Sequence, residues 1–211
     1  VRGEGQFLIS DSREPGGVVY GEIQRLGHHS SLENVSGRIH IIHNGSKGLF
    51  VFGNRYAPDY FEGFVPDSLS RHVDLLARSG VIGEVRTKNA LIKDPTRVKI
   101  LGYALDGEGH VINTRDYSLI NPRVTTKKPK RAKLVLVVGT AMNSGKSMAA
   151  SACCWALSSM GYDVRGSKIT GTASLQDILH MNDAGAYPYL DFTHLGHPST
   201  YMLEEDVLLD I

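Results

Sequence analysis

The sequence predicts two unlike parts. Residues 1–121 read as a small β-rich barrel or sandwich, residues 122–132 as a basic linker, and residues 133–211 as the front of an α/β domain with a parallel sheet. Three observations lead there. Short β-branched runs punctuated by glycine fill the first part. The stretch 121–131 is basic, poor in apolar residues and twice broken by proline, which is linker composition. Beyond it, Lys133-Leu134-Val135-Leu136-Val137-Val138 is an apolar run that ends at Gly139, a loop of small residues follows, and Gly145-Lys146-Ser147 opens a helical pattern.

The composition is that of an ordinary globular chain, with 41% hydrophobic and 21% charged residues in 211. A formal net charge of +1 supplies no global field for nucleic acid or an anionic membrane. The two cysteines, Cys153 and Cys154, are adjacent within a helical pattern, so a disulfide framework is not expected and a reducing, cytoplasmic setting is. No apolar run reaches the length of a membrane span, and no N-terminal targeting segment stands out. A start at Val1 and a pattern that stops at Ile211 read as a piece of a longer chain.

In chain order, 18–23 is the first strand candidate. Residues 38–42 and 49–52 flank His43-Asn44-Gly45-Ser46, a turn signal that predicts a β-hairpin between them. Pro66-Asp67 followed by Leu69, Val73 and Leu76 on one face, with Gly80 as the stop, predicts a helix. Residues 81–85 and 98–101 are further strands, and Asp106-Gly107-Glu108-Gly109 is a turn before Val111-Ile112. The run 148–160 predicts a helix apolar on nearly all sides and therefore buried. Residues 163–169 suit a second strand, and strand–loop–helix–strand order favours a parallel sheet.

A glycine-rich turn at a helix N-terminus can aim several backbone amides, plus the positive end of the helix dipole, at one anion. The residues so placed are Gly139, Thr140, Ala141, Met142, Asn143, Ser144, Gly145, Lys146 and Ser147. Lys146 would lie by the β- and γ-phosphates and Ser147 would offer a hydroxyl to Mg²⁺. The spacing from Gly139 to Gly145 is one residue longer than in the commonest phosphate loop. Taken as a plain strand–helix turn, the same residues would leave an exposed lysine.

Gly139-Thr140 with Gly145-Lys146-Ser147 resembles the longer P-loop of dethiobiotin synthetase and of the cobyric acid and cobyrinic acid amide synthases. Gly161-Tyr162, Gly166 and Lys168 are similar to the second-strand region of dethiobiotin synthetase, and Asp177, Asp183-Ala184-Gly185-Ala186 and Pro188 to the helical stretch of the cobyric acid enzymes. The resemblance covers about residues 133–200. It implies a P-loop NTPase domain and ATP with Mg²⁺. It also implies phosphoryl transfer to a small carboxylate-bearing substrate, as in a ligase or kinase-like transferase. Lys146 and Lys168 would be the catalytic charge stabilisers, and Ser147 with Asp177 would hold Mg²⁺. No glutaminase machinery is present, and the only candidates for an acidic strand end are Val207-Leu208-Leu209-Asp210 and Leu190-Asp191.

Other readings stay open. A polynucleotide 5′-hydroxyl kinase would use the basic linker, and a regulatory module would bind nucleotide without chemistry. A homo-oligomer, the base and the acceptor are not set by the sequence. Asp191, His194 and His197 could meet in a loop as metal ligands, with Ser199 and Thr200 facing substrate, or serve as turn chemistry. His28, His29, His40 and His43 read as scattered surface histidines. The stretch 53–63 stands out because Arg55, Tyr56 and Tyr60 are residue types favoured in binding sites.

Overall fold

The structure is a computed structural model that describes residues 13–68, 70–120 and 132–211. Leu69 and the expected linker, apart from Ala132, lie outside the described residues. The first part holds β1 (Val18–Arg25), β2 (Ser31–Glu33), β3 (Ile39–Ile41), β4 (Lys47–Phe52), β5 (Arg55–Tyr56), β6 (Phe61–Phe64), β7 (His72–Leu75), β8 (Val81–Lys88) and β9 (Thr96–Tyr103). The second part holds α1 (Lys146–Ser159), β10 (Gly166–Lys168), α2 (Leu175–Asp183), β11 (Tyr189–Asp191) and α3 (Glu205–Leu209).

Seven strands form one sheet in the order β4-β1-β9-β7-β8-β6-β5. Its ladders are antiparallel, but β4 also pairs parallel with the start of β8, Val51 opposite Val81 and Phe52 opposite Ile82. That extra ladder closes the first five strands of the order into a barrel. Alternation explains which side chains fill it: Val19 and Ile23 of β1, Phe50 and Phe52 of β4, Val73 and Leu75 of β7, Ile82 of β8 and Val98 of β9 point inward and are buried. Leu49, next to inward-facing Phe50, is exposed. Each such burial stabilises by about 1.5–3 kcal/mol.

The fold expected for the second part is overturned. The structure is mainly an antiparallel sheet with three α-helices among the described residues, not a parallel α/β P-loop domain. The parallel component of the second part is the pair β10–β11, three residues long. The segment 133–138, expected as a buried parallel strand, has no ladder partner among the described residues, and Leu134 and Val138 are 86% and 75% exposed. The reason is physical. A central parallel strand needs hydrogen-bonded neighbours on both edges and covered faces, and β10 and β11 satisfy one another instead.

Two further corrections, at 66–80 and around 43–46, share a cause, tertiary pairing prevailing over local pattern. The helix expected between Pro66 and Gly80 is strand β7, because Val73 and Leu75 also fit a period of two and pair with β8 and β9. Gly80, with φ of 90°, ends a turn into β8 rather than a helix, its amide donating to Ala77 at 3.1 Å. The turn at 43–46 forms, but the strands on either side part company: β3 pairs with β2, and β4 with β1 and β8. Helix α1 is not buried all round. Cys154 is its buried residue, packed with Ile178, Met181 and Ala186, whereas Met148, Trp155 and Met160 are exposed. Residues 207–209, one candidate acidic strand end, belong to helix α3.

The second part lies against the barrel. Ala173 packs on Leu76, Ala77 and Val81. The Thr114 hydroxyl donates to the Gly196 carbonyl at 2.6 Å, and the Tyr201 hydroxyl to Glu62 at 2.8 Å.

Asp74 ties three barrel strands together. It is buried, its Oδ1 accepts from Arg97 at 2.8 Å and its Oδ2 from the Val85 amide at 3.1 Å. Asp74→Ala leaves that amide without its acceptor and is expected to lower unfolding free energy by about 2–3 kcal/mol, read from urea titration. A loss below half a kcal/mol would show that water replaces the carboxylate.

Candidate phosphate-binding site

The loop 139–145, the expected phosphate-binding segment, runs straight into α1. Asn143 (φ 60°) and Gly145 (φ 86°) are both left-handed, and Gly145 is the helix N-cap. Having no side chain, Gly145 cannot cap the first turn, so the dipole end of α1 stays open. Residues 142 and 143 form a turn, and the amides of residues 145–148 donate to no backbone carbonyl among the described residues. A Cβ on Gly139 would fall 2.4 Å from Ser144 Oγ and 2.9 Å from Lys146 Cγ, so a side chain there would require both to move.

Lys146 is curled over the loop. Its ammonium donates to the Ala141 carbonyl at 2.5 Å and to Ser144 Oγ at 3.1 Å. Behind it, Ser147 Oγ donates to Asp177 Oδ1 at 2.7 Å, and Lys168 Nζ donates to Asp177 Oδ2 at 2.5 Å. Asp177 sits in the first turn of α2 and Lys168 at the end of β10, so two helices and a strand deliver one cluster. Burial pushes the Asp177 carboxyl up, but the Lys168 ammonium, the Ser147 hydroxyl and His180 together outweigh it and hold it below the usual carboxylate range.

Asp191 adds a second acidic group. In the parallel ladder it is the register partner of Lys168, so the two residues face the same side of the β10–β11 pair at their C-terminal ends. It is only 4% exposed. Its Oδ1 accepts from the Thr193 amide at 3.0 Å and from the Thr193 hydroxyl, while its Oδ2 is sealed from solvent without a partner.

The metal reading of the following loop does not survive. His194 Nδ1 accepts from the Asp191 amide at 3.2 Å and is thereby committed to capping the turn 192–195. Burial first, and then Arg115, holds His197 below the ordinary histidine range. Among the described residues no three His, Cys, Asp or Glu side chains converge as a metal site. Ser199 and Thr200 are buried in turn chemistry: Ser199 Oγ accepts from the Tyr201 amide and Thr200 Oγ1 from the Gly171 amide.

For Mg²⁺ the donor set does fit. A hydroxyl and a carboxylate, both hard oxygen donors, stand together at Ser147 and Asp177, and Mg²⁺ is commonly held by one or two carboxylates with phosphate oxygens and water completing the shell.

One contact had no sequence signal. Asn143 Nδ2 donates to Asp59 Oδ2 at 2.5 Å, so the β5–β6 turn of the barrel touches the loop. The stretch 53–63 was conspicuous, but nothing local says that its aspartate reaches a residue 84 positions on.

No protein-family model, curated protein or solved structure matches this chain. Among the described residues no helix is long and apolar enough to cross a membrane.

Because the folded Asp177 titrates below its unfolded value, its contribution is present above the ordinary carboxylate pKa and lost as pH falls through that value and below it. Thermal melts from about pH 6 downward should show an acid limb that flattens in Asp177→Asn. An identical limb in the variant would place the acid sensitivity elsewhere.

Proposed function

We propose that residues 139–147 bind the phosphate chain of ATP, together with Mg²⁺, and that the protein transfers the terminal phosphoryl group to a small carboxylate-bearing substrate. The observation that carries this reading is the convergence of Lys146, Ser147, Lys168 and Asp177 at the open N-terminus of α1. The resemblance to dethiobiotin synthetase and the cobyric acid enzymes, covering these same residues, supports it.

Each side chain then has a task. Lys146 exchanges its contacts with Ala141 and Ser144 for phosphate oxygens, which are better acceptors for an ammonium. The open amides of the loop and first helical turn take further phosphate oxygens. Ser147 and Asp177 hold Mg²⁺, which when bound neutralises phosphate charge. Lys168, bonded to Asp177 in the structure, is near enough to stabilise charge on the group in transfer. The substrate carboxylate oxygen forms its bond to the γ-phosphorus as the bond to the β,γ-bridging oxygen breaks, leaving ADP and an acyl phosphate.

Calorimetric titration with ATP and Mg²⁺ tests the binding step. Lys146→Ala is expected to weaken affinity about 10- to 100-fold, the range of one to two charge-assisted hydrogen bonds. Equal affinity in wild type and variant would remove the reading. Lys168→Ala is expected to keep ATP binding within a few-fold while losing ADP release in the presence of carboxylate acceptors. Unaltered ADP release would leave a nucleotide-binding module whose chemistry does not use Lys168.

A further inference from the structure

Arg55 opens strand β5 and is only 8% exposed. Nη1 donates to the Leu76 carbonyl and lies 3.1 Å from His29 Nε2. The guanidinium also sits 5.4 Å from the centre of the Tyr60 ring. No carboxylate of the described residues pairs with it. Its Nε is sealed from solvent and donates to nothing. A buried guanidinium is normally matched by an anion, because an unpaired buried charge is costly. Here one edge of the fork is left unused.

The surroundings are apolar or cationic. His28, His29, Tyr60 and Phe61 gather their rings beside it: His28 lies 5.1 Å from Tyr60 and 5.8 Å from Phe61, and His29 lies 5.7 Å from Phe61, centre to centre. Burial and then Arg55 push both histidines down, His29 to about 4, with Lys93 acting on His28 and Arg78 on His29 in the same direction. The charges felt by the two histidines are therefore positive, and only the Tyr60 hydroxyl acts on Arg55 in the opposite sense.

We propose that Arg55 anchors a binding site for a small organic carboxylate, walled by His28, His29, Tyr60 and Phe61. The Nε/Nη2 edge, covered when no ligand is bound, would offer two parallel N–H groups, which match the two coplanar oxygens of a carboxylate. Aromatic and imidazole walls suit the carbon skeleton of an organic acid better than a tetrahedral, strongly hydrated phosphate. The turn that bears Tyr60 also bears Asp59, the residue in contact with Asn143 of the phosphate loop. The acid would thus sit one turn away from that loop, yet the assignment rests on Arg55 and its neighbours and stands without any nucleotide.

The test uses the full chain and three probes, sodium acetate, disodium succinate and inorganic phosphate, each against chloride at equal ionic strength. Imidazole chemical shifts of His28 and His29 and the melting temperature are followed in wild type, Arg55→Met, Arg55→Lys and Lys146→Ala. Acetate or succinate should move both ring shifts and raise Tm in wild type and in Lys146→Ala. Arg55→Lys should weaken the response about tenfold or more, since a lysine lacks the planar fork. Arg55→Met should abolish it while melting at or above the wild-type temperature without ligand, because an unpaired buried charge has been replaced by an apolar chain. A purely structural arginine would do the reverse: Arg55→Met would melt well below wild type, and carboxylate would move neither ring in any form. A response to phosphate alone that survives in Lys146→Ala would overturn the carboxylate class, and one that vanishes in Lys146→Ala would belong to the loop.

Discussion

Closure of the barrel by the short parallel ladder between β4 and β8 is the constraint on which the rest of the arrangement depends. Antiparallel pairing alone would leave β4 and β8 as open edges with Phe50, Phe52 and Ile82 half covered. Pairing Val51 with Val81 seals them. It also divides β8 in two. The first half belongs to the barrel, and the second half, from Glu84 to Lys88, is left to pair with β6. The β5–β6 turn is thereby held away from the barrel wall, where one of its sides meets the loop before α1 at Asn143 and the other carries Tyr60 beside Arg55.

The two sites treat buried charge in opposite ways. Around Asp177 the charges are balanced: a lysine and a hydroxyl satisfy both carboxylate oxygens, and a nearby histidine reinforces them. Such a cluster is internally satisfied. Around Arg55 the balance is missing, since the guanidinium meets a carbonyl, an imidazole and a ring face but no acid. Asp191 Oδ2 is a third instance, a sealed acceptor without a donor beside Lys168. Native structures rarely leave such atoms unmatched, and these two lie on the elements that frame the loop and the adjoining turn.

How legible this was depended on the range of each interaction. Strands β1, β8 and β9 could be read because each carries a short β-branched apolar run and their partners impose no different pattern. The helix that follows Gly145 could be read for the same kind of reason, a run of helix formers behind a phosphate-loop signature. Residues 66–80 misled because Val73 and Leu76 fit a helical face while Val73 and Leu75 fit a strand, and only pairing with β8 and β9 chooses. Residues 134–138 misled in the other direction. Their apolar content has the look of a central strand, but such a strand exists only where neighbours supply hydrogen bonds on both edges.

By itself the sequence determined the local chemistry: the glycine, lysine and serine of the loop, the turn at 43–46, the lysine that ends β10 and the acid that opens α2. Those features act through the backbone within a few residues, so their neighbours in the chain are enough to specify them. Only the tertiary structure decided that Asp177 would bridge Ser147 and Lys168, that Asp59 would reach Asn143, and that Arg55 would be buried without an acid. Each of these joins groups brought together by barrel closure and by packing of the second part on the first. Long-range contact of that kind is set by the shape of the whole assembly, which no local pattern encodes.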